Sequence, residues 1–172
     1  MNLRASFLIA VLISLSLALS ACGFRLRGSG SVELPPQLRK VLVVGIPNYD
    51  PLLFHLQESL TFSGGTLTAN PAEAELILQI YESKMRRNEI SITQRGTANE
   101  YELDYRLDYE LRTKDGKAVL PRDTLELNRD YFNPQIDVIG KAEEESDLMQ
   151  GIYKEAVRTI LRRAQLVLSS TP

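Results

Sequence analysis

The chain has 172 residues, a formal net charge of −2 at pH 7 and 44% hydrophobic residues. This length suits one domain with a real core, and the ordinary composition argues against a disordered or repetitive protein. A near-neutral balance excludes the strongly basic class that binds nucleic acid through overall charge. One cysteine excludes an internal disulfide, and together with one histidine it is too little for a Cys/His metal site.

The amino terminus has the three parts of a secretory signal peptide. Arg4 supplies a positive charge, residues 5–19 form an apolar run broken only by serines, and the small residues Ser20 and Ala21 follow. The apolar run is about 15 residues long, whereas a membrane-spanning helix needs roughly 20. We therefore predict that residues 1–21 are a signal peptide that is removed.

Cys22 is the predicted lipid attachment site. Leu19, Ser20, Ala21 and Cys22 match the bacterial lipobox at every position, and a thiolate is a good nucleophile for a diacylglyceryl group. We expect an S-diacylglycerol and an N-acyl group on Cys22, since stable anchoring needs more than one lipid signal. Gly23, where an Asp would signal inner-membrane retention, favours the outer membrane. The alternative is a free or buried cysteine that happens to follow an apolar run.

Residues 22–39 are predicted to be a lipidated amino terminus and tether. Residues 28–37 are rich in Gly, Ser and Pro and have no periodic apolar face. At about 3.3 Å per residue, the tether reaches roughly 60 Å at most. A single domain is predicted over residues 40–168, followed by a short tail at 169–172.

The first part of the domain predicts a strand, a helix and a second strand. Residues 41–46 are almost wholly apolar, as in a strand covered on both faces. An Asp-Pro pair at 50–51 is typical of a helix start, leucines follow at helical spacing, and a Gly pair at 64–65 ends the helix. A second strand begins at residues 76–81 and continues through Ile90 and Ile92. This order favours a crossover unit.

Residues 101–112 are the clearest element. Every second side chain is apolar or aromatic: Tyr101, Leu103, Tyr105, Leu107, Tyr109 and Leu111. The side chains between them are charged: Glu102, Asp104, Arg106, Asp108, Glu110 and Arg112. Period-two alternation predicts a half-buried antiparallel strand, and Asp115-Gly116 predicts a hairpin turn into a returning strand. The tyrosines are either core or an amphipathic contact surface for a partner.

A long helix is predicted from about residue 141 to 168, after Asn133-Pro134 ends the sheet. Its predicted inward positions are Met149, Ile152, Tyr153, Ala156, Ile160, Ala164 and Val167. The predicted fold is α+β, with element order β-α-β-β-β-α. A small mixed four-stranded sheet carries two helices on one face, and the charged row of residues 102–112 lies on the other.

The sequence offers no catalytic constellation. His55, the single histidine, sits among the leucines of the first helix, so we interpret it as structural. The acidic residues 143–145 are typical of a solvated helix start. We predict no enzyme, no metal and no cofactor beyond the covalent lipid.

A set of basic residues is the best candidate for ligand binding. Lys84, Arg86, Arg87 and Arg95 lie in or beside one strand connection, and Lys141 begins the long helix. Clustered Arg and Lys side chains bind anionic groups such as phosphates. The alternative for each residue is an ordinary solvated charge.

Three segments of the chain carry recognisable motifs. Residues 22–28 (CGFRLRG) have a Cys-Gly pair, an aromatic residue and a Leu-Arg pair. A Glu-Tyr pair at 100–101 starts the long strand, and residues 131–135 (YFNPQ) precede the last helix. These segments resemble the LptE family of lipopolysaccharide-assembly lipoproteins, and the resemblance covers nearly all of residues 22–172.

The resemblance implies a plug inside LptD, an outer-membrane β-barrel that delivers lipopolysaccharide to the outer leaflet. It places the lipopolysaccharide-binding positions at Arg95 and Lys141, to which we add the neighbouring Arg86 and Arg87. The charged row then supplies the predicted partner contacts: Glu102, Asp104, Arg106 and Asp108. No nucleic-acid partner is expected.

Two other functions stay open at this point. An outer-membrane lipoprotein can activate a peptidoglycan synthase, although such activators need a longer tether than residues 22–39 provide. An anchored hydrolase is the third possibility, and the single histidine argues against it.

Overall fold

The computed structural model describes residues 35–92, 98–132 and 138–170, with side chains described for 35–90, 100–132 and 143–170. Within these ranges a short 3-10 helix at Pro36–Leu38 precedes five strands and two α-helices. In chain order they are β1 (Lys40–Val44), α1 (Pro51–Phe62), β2 (Thr66–Leu67), β3 (Leu76–Ile92), β4 (Ala98–Thr113), β5 (Ala118–Phe132) and α2 (Val138–Ser170).

The strands form one mixed sheet in the order β2-β1-β3-β4-β5. β1 is parallel to β2 and β3, as a crossover unit requires, and β3, β4 and β5 form an antiparallel meander. The predicted α+β class and helices are confirmed, but the described sheet has five strands where we predicted four. The additional strand, β2, pairs only Thr66 and Leu67 with β1, which is too short for any period-two pattern.

Helix α1 begins and ends as its sequence predicts. The Asp50 side chain accepts a hydrogen bond from the Leu52 N–H at 2.9 Å, and Pro51 occupies the first turn. At the other end Gly64 has a φ of +83°, and the Gly65 N–H donates to the Leu60 carbonyl at 2.8 Å. This left-handed glycine stops the helix and turns the chain into β2.

The core lies between the sheet and the two helices. All six apolar or aromatic residues predicted to line one face of β4 are buried, and Tyr105 and Leu107 are fully so. The tyrosines are therefore core residues rather than a contact surface. Leu38 joins the same core, so the folded part begins before residue 40.

Helix α2 buries most of the residues predicted to face inward. Ile152, Ala156, Ile160 and Ala164 are all at most 1% exposed, and Val157, which we did not predict, is also fully buried. The prediction for Val167 was wrong, because its side chain is 38% exposed. It borders an open cleft beside Leu120 and Pro121 instead of packing under the sheet.

Helix α2 lies antiparallel to β5 and covers one face of the meander. Arg163, Glu155 and Glu145 contact Asp123, Arg129 and Tyr131 of β5, respectively. From Asp123 to Tyr131, β5 spans about 26 Å, and from Glu145 to Arg163, α2 spans about 27 Å. The contacts therefore follow the strand and the helix over the same length. No helix in the described part of the chain is long and apolar enough to cross a membrane.

Candidate functional site

The candidate site comprises the sheet face opposite the helices, called here the open face, and the upper end, where β3 and β5 finish. A bulge in β3 decides which side chains reach this face. Ile80 lies opposite Tyr109 and Glu82 opposite Asp108, so Tyr81 has no cross-strand partner. One extra residue reverses the alternation beyond it. Lys84 and Arg86 therefore lie on the open face, whereas Arg87 lies on the helix-covered face.

Ion pairs join the three long strands across the open face. Arg106 of β4 is 3.2 Å from the Glu82 carboxylate of β3 and also pairs with Glu126 of β5. Asp108 accepts hydrogen bonds from the Arg122 guanidinium at 2.6 to 3.2 Å. The same hydrogen bonds lower the pKa of Asp108. This face is charged, yet many of its charges are neutralised within the chain.

Hydrogen bonds extend this network in both directions along the sheet. The Tyr81 hydroxyl donates to Glu110 at 2.8 Å, an acceptor that raises the pKa of Tyr81, and its ring lies beneath the Arg122 guanidinium at 4.1 Å. Toward the upper end, Asn88 and Asn128 donate to the two carboxylate oxygens of Glu102 at 3.4 and 3.3 Å.

The structure places the predicted partner-contact residues together. All four are half-buried on the open face of β4: Glu102, Asp104, Arg106 and Asp108. Asp104 has no side-chain hydrogen bond or ion pair among the described residues, although Arg86 lies opposite it in the β3–β4 register. Their role as partner contacts stays a prediction.

Arg87 belongs to a cluster of side chains from β3, β4, β5 and α2 that the sequence did not predict. Its Nε–H donates to the Tyr131 hydroxyl at 2.7 Å and lies 3.3 Å from Glu145, and its guanidinium sits 3.8 Å from the centre of the Tyr101 ring. The Tyr131 hydroxyl donates in turn to Glu145. The hydrogen bond to Tyr131 raises the pKa of Arg87. This cluster ties all three long strands to α2.

Among the other predicted binding residues, only Arg86 has a described side chain, and it lies toward the upper end of β3. Arg86 is exposed and has no ion pair among the described residues. Arg95, like Cys22, lies outside the described residues, and Lys141 lies in the first turn of α2 with a side chain that is not described. Two apolar side chains are exposed at the same end: Ile90 at 51% and Phe132 at 53%.

His55 is a buried packing residue in the structure. It is 4% exposed and lies between Tyr153, whose ring is nearly parallel at 6.2 Å, and the edge-on ring of Phe54 at 5.3 Å. Its Nδ1 lies 3.5 Å from the Glu58 carboxylate. Among the residues with described side chains, no group of three His, Cys, Asp or Glu could hold a metal ion.

Comparison with known sequences gives a consistent family match. The LptE family model, described as lipopolysaccharide-assembly, matches residues 38–164. The LPS-assembly lipoprotein LptE of Photorhabdus laumondii is 23% identical over 157 residues, covering 91% of this chain and 84% of that protein. The protein of the same name from Yersinia enterocolitica is 26% identical over 162 residues, covering 93% and 76%.

Solved structures share the fold. Uncharacterized lipoprotein B from Nitrosomonas europaea aligns with a TM-score of 0.66 and 26% identity, covering 86% of this chain and 94% of its own. A minor lipoprotein from Acinetobacter baumannii aligns with a TM-score of 0.59 and 21% identity, covering 75% and 92%. At the latter identity the likeness concerns the fold alone.

Proposed function

Because the chain belongs to the LptE family of lipopolysaccharide-assembly lipoproteins, we propose that it is a non-enzymatic subunit of an outer-membrane lipopolysaccharide translocon. It occupies the lumen of an LptD-like β-barrel as a plug, and it binds lipopolysaccharide on the way to the outer leaflet. The family match confirms the resemblance seen in the sequence, both for the family and for its process, lipopolysaccharide assembly.

The open face is the observation that carries the plug proposal. It is a broad polar surface, and Arg106 and Arg122 neutralise several of its carboxylates within the chain. The lumen of a large outer-membrane barrel is itself polar and filled with water. Most carboxylates of this face already have a partner within the chain, so few would enter such a lumen as buried charges without one, which would be costly.

The upper end supports the binding of lipopolysaccharide. Exposed Ile90 and Phe132 offer apolar contact to an amphiphile. Arg95 and Lys141 stay the predicted cations for the phosphate groups of lipopolysaccharide; Arg95 follows β3 in the sequence, and Lys141 is in the first turn of α2.

A covalent anchor at Cys22 is part of the same proposal. An S-diacylglycerol and an N-acyl group on Cys22 would hold the domain at the outer membrane, either facing the periplasm or inside the lumen. The test is metabolic labelling with radioactive palmitate. The wild-type chain should incorporate label, the Cys22→Ser variant should not, and equal labelling of both would refute the anchor.

Affinity purification from detergent-solubilised envelopes tests the plug. We expect a large β-barrel to co-purify with the chain, and depletion of the chain to leave lipopolysaccharide inside the envelope. Recovery of the chain without any barrel, together with normal surface lipopolysaccharide after its depletion, would contradict the proposal.

Lipopolysaccharide binding is tested separately with the double variant Arg95→Ala/Lys141→Ala. We expect weaker retention of lipopolysaccharide by the purified complex but normal recovery of the barrel. Arg112→Ala is the matched control, because Arg112 is a half-buried cation without an ion pair among the described residues, at the opposite end of the open face. Equal losses in both variants would contradict a specific site at the upper end.

A further inference from the structure

The upper part of β3 is an open edge of the sheet. β1 pairs with β3 only from Leu76 to Gln79, whereas β4 pairs with β3 along nearly its whole length. Gly45, with a φ of +100°, passes so close to β3 that a Cβ would lie 1.9 Å from the Ile80 carbonyl oxygen. β1 has ended by that point, and no strand among the described residues flanks residues 82–92 on the side away from β4.

This edge carries unused backbone hydrogen-bonding capacity. Residues 84 and 86–90 are exposed, and residues 82–90 make no backbone hydrogen bond to any described residue beyond the β3–β4 ladder. Alternate N–H and C=O groups of such a strand point outward and form a template for one more strand. The regular stretch between the bulges, residues 82–89, is about 23 Å long.

The other edge of the meander, β5, is protected in ways that the β3 edge is not. Pro121 removes one N–H donor, and α2 lies along the strand. Four of its five charged side chains form ion pairs with β4 or α2: Arg122–Asp108, Asp123–Arg163, Glu126–Arg106 and Arg129–Glu155. On β3, by contrast, Lys84 and Arg86 have no ion pair with any described residue.

The charges of Lys84 and Arg86 determine which kind of strand can pair with this edge of β3. A second copy of this chain, paired antiparallel along the same edge, would bring Lys84 and Arg86 next to their own equivalents, which is unfavourable. Acidic side chains on an added strand would instead lie beside these two cations. On the helix-covered side the added strand would meet half-buried Ser83 and Met85, which favours small or apolar residues there.

We propose that residues 82–89 of β3 dock an extended segment of the barrel partner, with acidic side chains alternating with small or apolar ones. This inference rests on the proposed function. Because the strands of a closed barrel wall are already paired, the segment comes from outside the wall. It adds a sixth strand to the described sheet and fixes the orientation of the plug.

Photo-crosslinking in the purified complex tests the edge directly. A photoreactive residue replaces Asn88 on β3 or, as the control, Asn128 on β5, since both are exposed and both donate to Glu102. Asn88 should crosslink to an acidic, extended segment of the barrel protein, and Asn128 should not capture that segment. Capture of the segment by both positions, or adducts of position 88 with lipopolysaccharide alone, would overturn the inference.

Amide hydrogen exchange gives an independent measurement. In the complex, outward amides of residues 82–89 should exchange at least about tenfold more slowly than in the free chain, because they gain hydrogen bonds. Lys84→Glu/Arg86→Glu should abolish this protection, whereas Arg112→Glu should leave it unchanged. If the barrel co-purifies but the protection is absent, the docking inference is wrong and the proposed function stands. If no barrel co-purifies, the proposed function itself is wrong.

Discussion

The two faces of β4 arise from one alternating sequence, but one face is buried in the core and the other carries ion pairs. On one face Tyr105 and Leu107 are fully buried beneath the helices. On the other, Arg106 and Asp108 are only partly buried and form ion pairs with neighbouring strands. Burial of large apolar side chains stabilises a fold strongly, whereas solvent-exposed ion pairs contribute little. The stability of the domain therefore resides on the core face, and the open face is free to serve recognition.

Tyrosine hydroxyls connect the core face to its polar margins. The Tyr105 hydroxyl lies 3.0 Å from the Ser83 hydroxyl, and Tyr109 accepts a hydrogen bond from Arg163 at 2.9 Å. The rings add apolar area to the core while the hydroxyls find partners at its edge. The hydroxyls of Tyr105 and Tyr109 therefore join the core face to polar groups at its edge.

The largest expected effect is on the core face. Leu107→Ala should lower the free energy of unfolding by about 3 kcal/mol, because it leaves a cavity in the core between the sheet and the helices. Urea denaturation followed by circular dichroism measures this loss. Thr124→Ala, half-buried on the open face beside Asp108, is the control and should change stability far less. Similar losses of unfolding free energy in the two variants would contradict the idea that stability resides mainly on the core face.

The cluster around Arg87 should give an intermediate effect. Tyr131→Phe removes a hydroxyl that accepts from Arg87 and donates to Glu145, so both groups lose a partner. We expect a loss of about 1 to 2 kcal/mol in the free energy of unfolding. Tyr153→Phe is the matched control, because no hydrogen bond of the Tyr153 hydroxyl occurs among the described residues. An equal loss there would mean that ring packing, rather than the cluster, matters.

A smaller effect is expected in alkaline solution. Burial raises the pKa of Tyr105 well above the ordinary value of 10. The unfolded chain therefore releases this proton first, so stability is constant below about pH 9 and falls as pH rises above 10. Tyr105→Phe should reduce that fall by about 1 kcal/mol at pH 11. Urea titrations from pH 8 to 11 measure it, and an unchanged slope in the variant would contradict the assignment.

The fold was largely predictable because its signals are local. Period-two alternation over residues 101–112 identifies both the strand and its buried face, and the Asp-Pro and Gly-Gly pairs bound α1. Strand β2 was missed because two residues show no period. Val167 was misplaced because helical spacing says which residues share a face, but not where the sheet beneath that face stops.

The site was less predictable because it depends on distant contacts. Glu145 lies 58 positions after Arg87, and no local pattern links them. The bulge at Tyr81, which separates Arg86 from Arg87 onto opposite faces, leaves only a weak trace where alternation fails at Tyr81-Glu82. The family resemblance, rather than any spacing, assigned Arg95 and Lys141.

The last prediction compares two arginine replacements that should both have the smallest effect on stability. One of them, Arg106→Ala, should have the largest effect on assembly with the barrel. Arg106→Ala on the open face and Arg129→Ala on the helix side each break ion pairs of similarly exposed arginines, 42% and 45% exposed. Each should change the free energy of unfolding by less than about 1 kcal/mol. Only Arg106→Ala should reduce recovery of the barrel in affinity purification, because only that side chain faces the proposed contact surface. Equal recovery from both variants would mean that the open face is not where the barrel binds.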